Sequence, residues 1–241
     1  MKTVYYAPSV PPELYGNDFM LYKEPDSLYK DIIKDRNPHN DYNNYLDCPA
    51  VIKAMQNTFV VRNPWTTTIT VDYQHGTFLN KERREDSISE HFSPKPNSRT
   101  RPMFNIYHNF LFFCDEDLEV TTLPAYMHTS ELQSKCIYIP GTYNISRWLR
   151  PVEGAYEMQT PFEELTLRAG DPMYYVKFNT TEAVKLVRFD LTQELWNMSQ
   201  GCVHHKKYQP AKSLSYLYKL FTHTGMRRLI SKRIKENIID D

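Results

Sequence analysis

Residues 58–73 decide the fold class, and their sequence is TFVVRNPWTTTITVDY. The runs Thr58–Arg62 and Thr66–Tyr73 are rich in β-branched side chains, which is typical of strands. Asn63-Pro64-Trp65 separates the two runs and has the residue types of a turn. From Thr68 onward, apolar and polar residues alternate, which predicts a strand with one face in the core and one face in water.

The same type of segment recurs through the middle of the chain as far as Phe189. The segments do not alternate with amphipathic helices, which excludes a doubly wound α/β sheet. Residues 80–102 are predicted to form a long surface loop, and Asn179–Glu182 a hairpin turn. We therefore predict a mainly β, jelly-roll or β-sandwich-like domain over residues 48–191. Its further strands are expected at Met103–Cys114, Leu118–Thr122, Cys136–Ile139, Ala155–Met158, Glu164–Arg168, Met173–Phe178 and Val184–Phe189.

The first 47 residues are polar, rich in Tyr and Asn, and interrupted by prolines. They are expected to form an extended N-terminal arm that lies on a neighbouring surface. One short helix is predicted within the arm, with Ser27 as its N-cap. A second helix is expected to start at Pro49, because proline suits the first position of a helix, and to run to about Gln56.

Residues 192–241 are predicted to form a C-terminal helical appendage, in which Ile230 and Ile234 belong to a stripe at four-residue spacing. Residues 201–241 contain nine Lys or Arg and three acidic residues, a net charge of +6. Since the whole chain is neutral, residues 1–200 carry −6. This asymmetry and the apolar stripe predict a surface that binds an acidic protein partner. The predicted partner-binding residues are Arg227, Arg228, Ile230, Lys232, Arg233, Ile234 and Lys235.

Composition excludes several common functions. Only 7 of the 241 residues are Gly, and the chain contains none of the Gly-rich phosphate-binding motifs or the Gly-x-Ser-x-Gly motif of serine hydrolases. No cofactor is therefore expected. The neutral net charge argues against nucleic acid as a partner. Cys48, Cys114, Cys136 and Cys202 form no Cys-x-x-Cys pair, so we expect reduced, structural thiols.

One enzymatic alternative comes from the sequence His39-Asn40-Asp41. A His and an Asp at this spacing occur in the two-His-one-carboxylate iron site of cupin-like oxygenases, which needs a second, distant His. The distant ligand would be His108, His128 or His223. One such His-x-acid sequence is expected by chance in a chain with eight His, and His39 lies in a loop, so no metal site is predicted as the first choice.

A resemblance supports a different function. Cys48-Pro49-Ala50, Asn57–Val61 and Gly170-Asp171-Pro172-Met173 resemble motifs in a family of uncharacterised proteins encoded by tailed bacteriophages and some bacteria. The similarity covers about residues 45–195. It implies a β-rich viral or virus-associated protein, and it transfers no catalytic residues.

We therefore expect a non-enzymatic, phage-associated structural or interaction protein, either a virion or an assembly component. Its partners would be other virion proteins or copies of itself. The alternatives are the metal-dependent oxygenase and a small phage protein that inhibits a host factor. Since neither a signal peptide nor a membrane-spanning apolar run is visible, synthesis in the host cytoplasm without secretion is expected, with a possible virion location.

Overall fold

A computed structural model describes residues 1–10, 22–34, 45–72, 77–80, 92–95, 103–159 and 164–239. These residues form three β-sheets and six α-helices, and the chain is mainly β with helices at its C-terminus, as predicted. The helices are α1 (Leu28–Lys34), α2 (Pro49–Met55), α3 (Glu131–Lys135), α4 (Gln193–Tyr208), α5 (Leu214–His223) and α6 (Met226–Lys235), and Tyr45–Asp47 form a 3-10 turn.

Sheet A has the strand order β14-β1-β7-β11-β9, and β6 pairs with one end of β7. Its strands are β1 (Lys2–Pro8), β6 (Phe92–Lys95), β7 (Met103–Phe113), β9 (Cys136–Ile139), β11 (Pro151–Met158) and β14 (Val184–Arg188).

Sheet B has the order β10-β8-β13-β3-β2, and sheet C has the order β12-β4-β5. The strands of sheet B are β2 (Asp26–Ser27), β3 (Thr58–Arg62), β8 (Glu119–Pro124), β10 (Thr142–Asn144) and β13 (Pro172–Phe178). Those of sheet C are β4 (Thr67–Asp72), β5 (Thr77–Asn80) and β12 (Glu164–Leu167).

Sheets A and B share one hydrophobic core, which is rich in aromatic side chains. The rings of Phe112 and Phe178 meet edge to face with their centroids 5.6 Å apart. Two buried tyrosines also join the sheets, because Tyr174 donates to the carbonyl of Val152 at 2.8 Å and Tyr156 donates to that of Met173 at 3.1 Å. These bonds satisfy the hydroxyls, so the rings can be buried completely.

The outer faces of both sheets are covered by helices. Alternate side chains of sheet A, such as Leu111 and Phe113, point away from sheet B and belong to a second core formed with the C-terminal helices. A third, smaller core joins Tyr175 of sheet B with α1 and α2. Helices therefore pack on both sheets, and the C-terminal group of helices forms the larger of these two contacts.

The prediction that the chain begins with an extended arm is wrong for its first residues. Lys2–Pro8 form an internal strand of sheet A, parallel to β14 and antiparallel to β7. Val4 and Tyr6 face the core between the sheets, while Tyr5 and Ala7 face the C-terminal helices. Because both faces of β1 are buried, its sequence lacks the polar and apolar alternation that identifies a strand. Residues 11–21 and 35–44 of the expected arm lie outside the described residues.

The predicted hairpin at Asn179–Glu182 is also wrong, because β13 belongs to sheet B and β14 to sheet A. Asn57 stabilises this crossing from the end of α2. Its Nδ2 donates to the carbonyls of Thr180 and Glu182 at 2.9 and 2.8 Å, and its Oδ1 accepts from the amide of Val184 at 3.2 Å. Asn57 has φ of 54°, a conformation that Asn tolerates better than most residues.

Most other predicted elements are confirmed. The bounds of Thr58–Arg62 and Cys136–Ile139 agree with the sequence, and the helices at Leu28–Lys34 and Pro49–Met55 are present. Part of the expected 80–102 loop is strand, namely β6, and residues 81–91 and 96–102 lie outside the described residues. The four cysteines are free; Cys48 is exposed and the other three are buried.

Candidate protein-binding groove on the C-terminal helices

The C-terminal helices begin at good capping residues. The hydroxyl of Thr192 accepts from the amide of Leu195 at the start of α4, and the hydroxyl of Ser213 accepts from that of Tyr216 at the start of α5. Gly225 adopts φ of 77° between α5 and α6, a conformation that glycine adopts without strain. These signals divide the segment into three helices that fold back on one another.

The apolar stripe of α6 packs inside the chain. Ile230 and Ile234 are both 0 % exposed and belong to the core beneath the C-terminal helices. The expectation that these two side chains contact a partner is corrected, because the outer face of sheet A already covers them. Leu111 and Phe113 of that face would otherwise be exposed to water, at a cost that scales with their apolar area.

Several of the basic residues of α6 also meet acidic groups of the same chain. Lys235 lies 2.6 Å from the carboxylate of Asp115, and the hydrogen bond between them raises the pKa of Lys235. Arg233 pairs with Glu194 and Glu236, both at 3.0 Å, and these hydrogen bonds raise its pKa. The expected contact between the basic tail and an acidic body therefore occurs within one molecule.

The loop after β7, which contains Asp115, also contacts the first turns of α6. Arg227 donates to the backbone carbonyl of Asp115, and Ser231 donates to the Asp115 carboxylate. Lys232 lies 3.8 Å from Glu236 and is 69 % exposed, so this pair is weak. Arg228 is exposed, and its side chain has no partner among the described residues. A role for the basic side chains in binding a partner stays a prediction.

A groove of about 670 Å³ lies between α4 and the α5–α6 turn. Its walls are almost entirely apolar and it is open to solvent. Met198 and Cys202 of α4 line one wall, Leu220 and Phe221 of α5 line the other, and Trp148 also lines it. Burial raises the pKa of the Cys202 thiol to about 11, so this sulfur is a neutral, apolar part of the wall. The Nε2 atom of His205, which also lines the groove, is buried without a hydrogen-bond partner.

Gly201 lies in the interior of α4 and lines the same groove. A glycine in the interior of a helix costs about 1 kcal/mol relative to alanine. Among the described residues nothing requires it, because a Cβ atom added there would meet no atom within 4 Å outside its own stretch of helix. No sequence pattern predicted the groove residues, although a glycine between Leu195 and Tyr208 in a predicted helical region is a signal that indicates them.

The helices around the groove carry only positive charge over a long stretch. Residues 195–235 contain nine Lys or Arg and three His, and no Asp or Glu. Lys219 and His223 are exposed on α5, each next to a residue that lines the groove. The segment that forms most of the groove is therefore basic in sequence, although the charged residue that lines the groove itself is Glu194.

The residues of the expected metal site are not brought together among the described residues. His39 and Asp41 lie outside the described part of the chain, His108 is in β7, and His223 is exposed on α5. His128 is engaged by other groups: its Nδ1 is 2.6 Å from the hydroxyl of Tyr175, and its Nε2 is 2.9 Å from Asp31. Among the described residues, no group of three His, Cys, Asp or Glu is placed to hold a metal ion.

The surroundings of His128 form a partly buried polar network that connects α1 with sheet B. The Tyr175 hydroxyl accepts from the amide of Met127 at 3.1 Å and lies within hydrogen-bond distance, 2.6 Å, of Nδ1 of His128. Burial raises the pKa of Tyr175, so its hydroxyl stays protonated. Nε2–H of His128 then donates to Asp31, which also accepts from Arg62 at 2.6 Å. Each polar group is paired, so the network is a structural connection.

Comparison with known proteins does not identify the chain: no family model, no curated protein and no solved structure matches it. Within the described residues, no helix has both the length and the apolar character needed to cross a membrane.

Proposed function

We propose that this chain is a non-enzymatic, phage-associated structural or interaction protein that binds another protein through the groove between α4 and the α5–α6 turn. The observation that carries the proposal is the groove itself: about 670 Å³ of open, apolar surface lined by Trp148, Met198 and Phe221. Aromatic residues and Met are enriched at the centres of protein interfaces. Large apolar depressions open to water are uncommon on proteins that bind nothing.

The architecture fits a virion or assembly component. We infer that sheets A and B form a sandwich of the jelly-roll type, with helices on its outer faces. The core that the two sheets share supports this inference. Such β-rich domains are frequent in viral particles. The motifs between residues 45 and 195 that resemble those of tailed-bacteriophage proteins are a further reason for this proposal.

Photo-cross-linking in the infected host tests the binding surface. Benzoylphenylalanine in place of Asn197, which lines the groove and is exposed, should capture one defined protein. The control places the same group at Ile137, which is 44 % exposed on β9. The proposal fails if Asn197 captures no protein, or if both positions capture the same set.

Mass spectrometry of purified virions separates the two forms of the proposal. A stoichiometric signal for the chain in the particle identifies a structural component. Its absence from virions, together with a host protein cross-linked at Asn197, identifies an inhibitor of a host factor and overturns the structural role.

A further inference from the structure

We propose that the groove receives an amphipathic α-helix with large apolar side chains on one face and acidic residues on its flanks. This inference rests on the proposed function and names the chemistry of its partner. It is carried by three independent observations, namely the shape of the groove, the position of Gly201 and the sign of the surrounding charge.

The shape of the groove fits a helix of about three turns. Along α4 its lining residues run from Glu194 to His205 and include Met198 and Cys202, so they occupy one face of the helix. These twelve residues are separated by eleven steps of 1.5 Å and therefore span about 16 Å. The groove is open on its solvent side, whereas sites for small ligands usually enclose most of the ligand. An open apolar trough beside a helix is the geometry that receives the apolar face of another helix.

Gly201 indicates how closely the partner approaches. It lies midway along the wall formed by α4, and the space beyond its Cα is empty. Glycine allows a second backbone or a large side chain to approach a helix more closely than any other residue does. A partner that packs against Gly201 explains why α4 retains a helix-weakening residue where its own chain has no need of one.

The charge around the groove selects an acidic partner. Arg228 and His223 are exposed beside the α5–α6 turn, where they line a second depression together with Asp115, and Lys219 is exposed on α5. Within the described residues, the side chains of these three form no ion pair with a carboxylate. From residue 195 to residue 235 there is no carboxylate to repel an acidic helix. Glu194, at the end of the groove, is paired with Arg233 at 3.0 Å. Complementary charge accelerates association and orients the partner, and like charge excludes basic segments.

A displayed library of random 16-residue peptides tests the proposal on the full chain. Selected peptides should be acidic and carry large apolar residues at positions i, i+3 or i+4, and i+7. Fluorescence anisotropy of the best peptide should give a dissociation constant in the micromolar range or tighter, weakening steeply with salt. Enrichment of basic or extended peptides, or no enrichment at all, would overturn the proposal.

Two substitutions of one residue provide a matched control. Gly201→Trp should fill the groove without a clash and weaken peptide binding at least tenfold. Gly201→Ala should raise the thermal midpoint, since alanine favours helix, and should weaken binding by a smaller factor than Trp, because one methyl group obstructs only the closest approach of the partner. Circular dichroism should show both variants folded. Equal affinity of the Trp and Ala variants would show that the peptide binds elsewhere and would refute the proposal.

Charge and ligand class are tested separately. Replacing both Lys219 and Arg228 by Glu should weaken the selected peptide at least tenfold and reduce the salt dependence of its affinity. Dodecanoate, an anionic amphiphile, should not compete with the peptide below its micellar concentration. Competition there would assign the groove to lipids and overturn the helix proposal. A cross-link from Asn197 to a basic segment would refute this inference and leave the proposed protein-binding function intact.

Discussion

The two outer faces of the β-sheets are covered in different ways. On sheet B, α1 is connected through the polar network of Arg62, Asp31, His128 and Tyr175, in which each group has a partner within the chain. On sheet A, α4 to α6 pack through apolar side chains, and they leave an open groove and exposed basic residues such as Arg228. Polar groups that are all paired within the chain stabilise the fold, whereas exposed apolar and basic side chains are available to bind a partner.

The largest loss of stability is expected from a substitution in the apolar contact between α6 and sheet A. Ile234→Ala removes a completely buried side chain and should lower the free energy of unfolding by about 3 kcal/mol. Leu229→Ala on the same helix is the control, because Leu229 is 38 % exposed and should cost well under half as much. Urea denaturation measures both values. Equal costs for the two variants would mean that α6 does not pack as described.

The second largest loss of stability is expected for the polar network on sheet B. Asp31→Ala leaves the guanidinium of Arg62 and the Nε2–H of His128 without their acceptor. Because these side chains are 12 to 17 % exposed, we expect a loss of about 2 kcal/mol, below the cost of breaking a fully buried pair. Asp26→Ala is the matched control, since Asp26 is 54 % exposed and lies 3.8 Å from Lys34. A network without energetic importance would give the same small change for both.

A smaller effect is expected for the ionic contact between α6 and the loop after β7. Asp115→Asn weakens the pairing with Lys235, which is half exposed, and should cost about 0.5 kcal/mol at low salt. The loss should shrink as ionic strength rises, because salt screens exposed charges. Lys232→Gln, at a more exposed position of the same helix, should leave stability unchanged. A cost for Asp115→Asn that does not depend on salt would show that the contact is not ionic.

The smallest perturbation uses the thiols to compare the groove with the core that sheets A and B share. In the folded protein at pH 8, only the exposed Cys48 should react rapidly with Ellman's reagent. Burial raises the pKa of Cys136 to about 12 and that of Cys202 to about 11, so few molecules carry the reactive thiolate. Cys202 should react second, because it lines the open groove and Cys136 lies in the core between the sheets.

Unfolding in urea without reductant should release four reactive thiols. Two or fewer would contradict the prediction of reduced cysteines. A folded protein in which Cys136 reacts before Cys202 would reverse the order of accessibility assigned to the two regions.

The local elements could be predicted from the sequence because their signals extend over few residues. The strand Thr58–Arg62 follows from β-branched residues, and the helix Pro49–Met55 follows from proline at its first position. The apolar spacing of Ile230 and Ile234 correctly indicated the buried face of α6. Periodicity reports that a face is buried, but it does not report which surface buries it.

The tertiary structure alone decided what these faces meet. Pairing of β1 with β14 joins Lys2 to Val184, about three quarters of the chain apart, and no local pattern encodes a contact of that separation. The same pairing sends β13 and β14 into different sheets and exposes the outer face of sheet A to the C-terminal helices. The sequence by itself determined a mainly β chain with a basic helical end. Only the packing of distant segments placed the Ile stripe inside, paired much of that positive charge with the chain's own carboxylates, and left the groove beside Gly201 open.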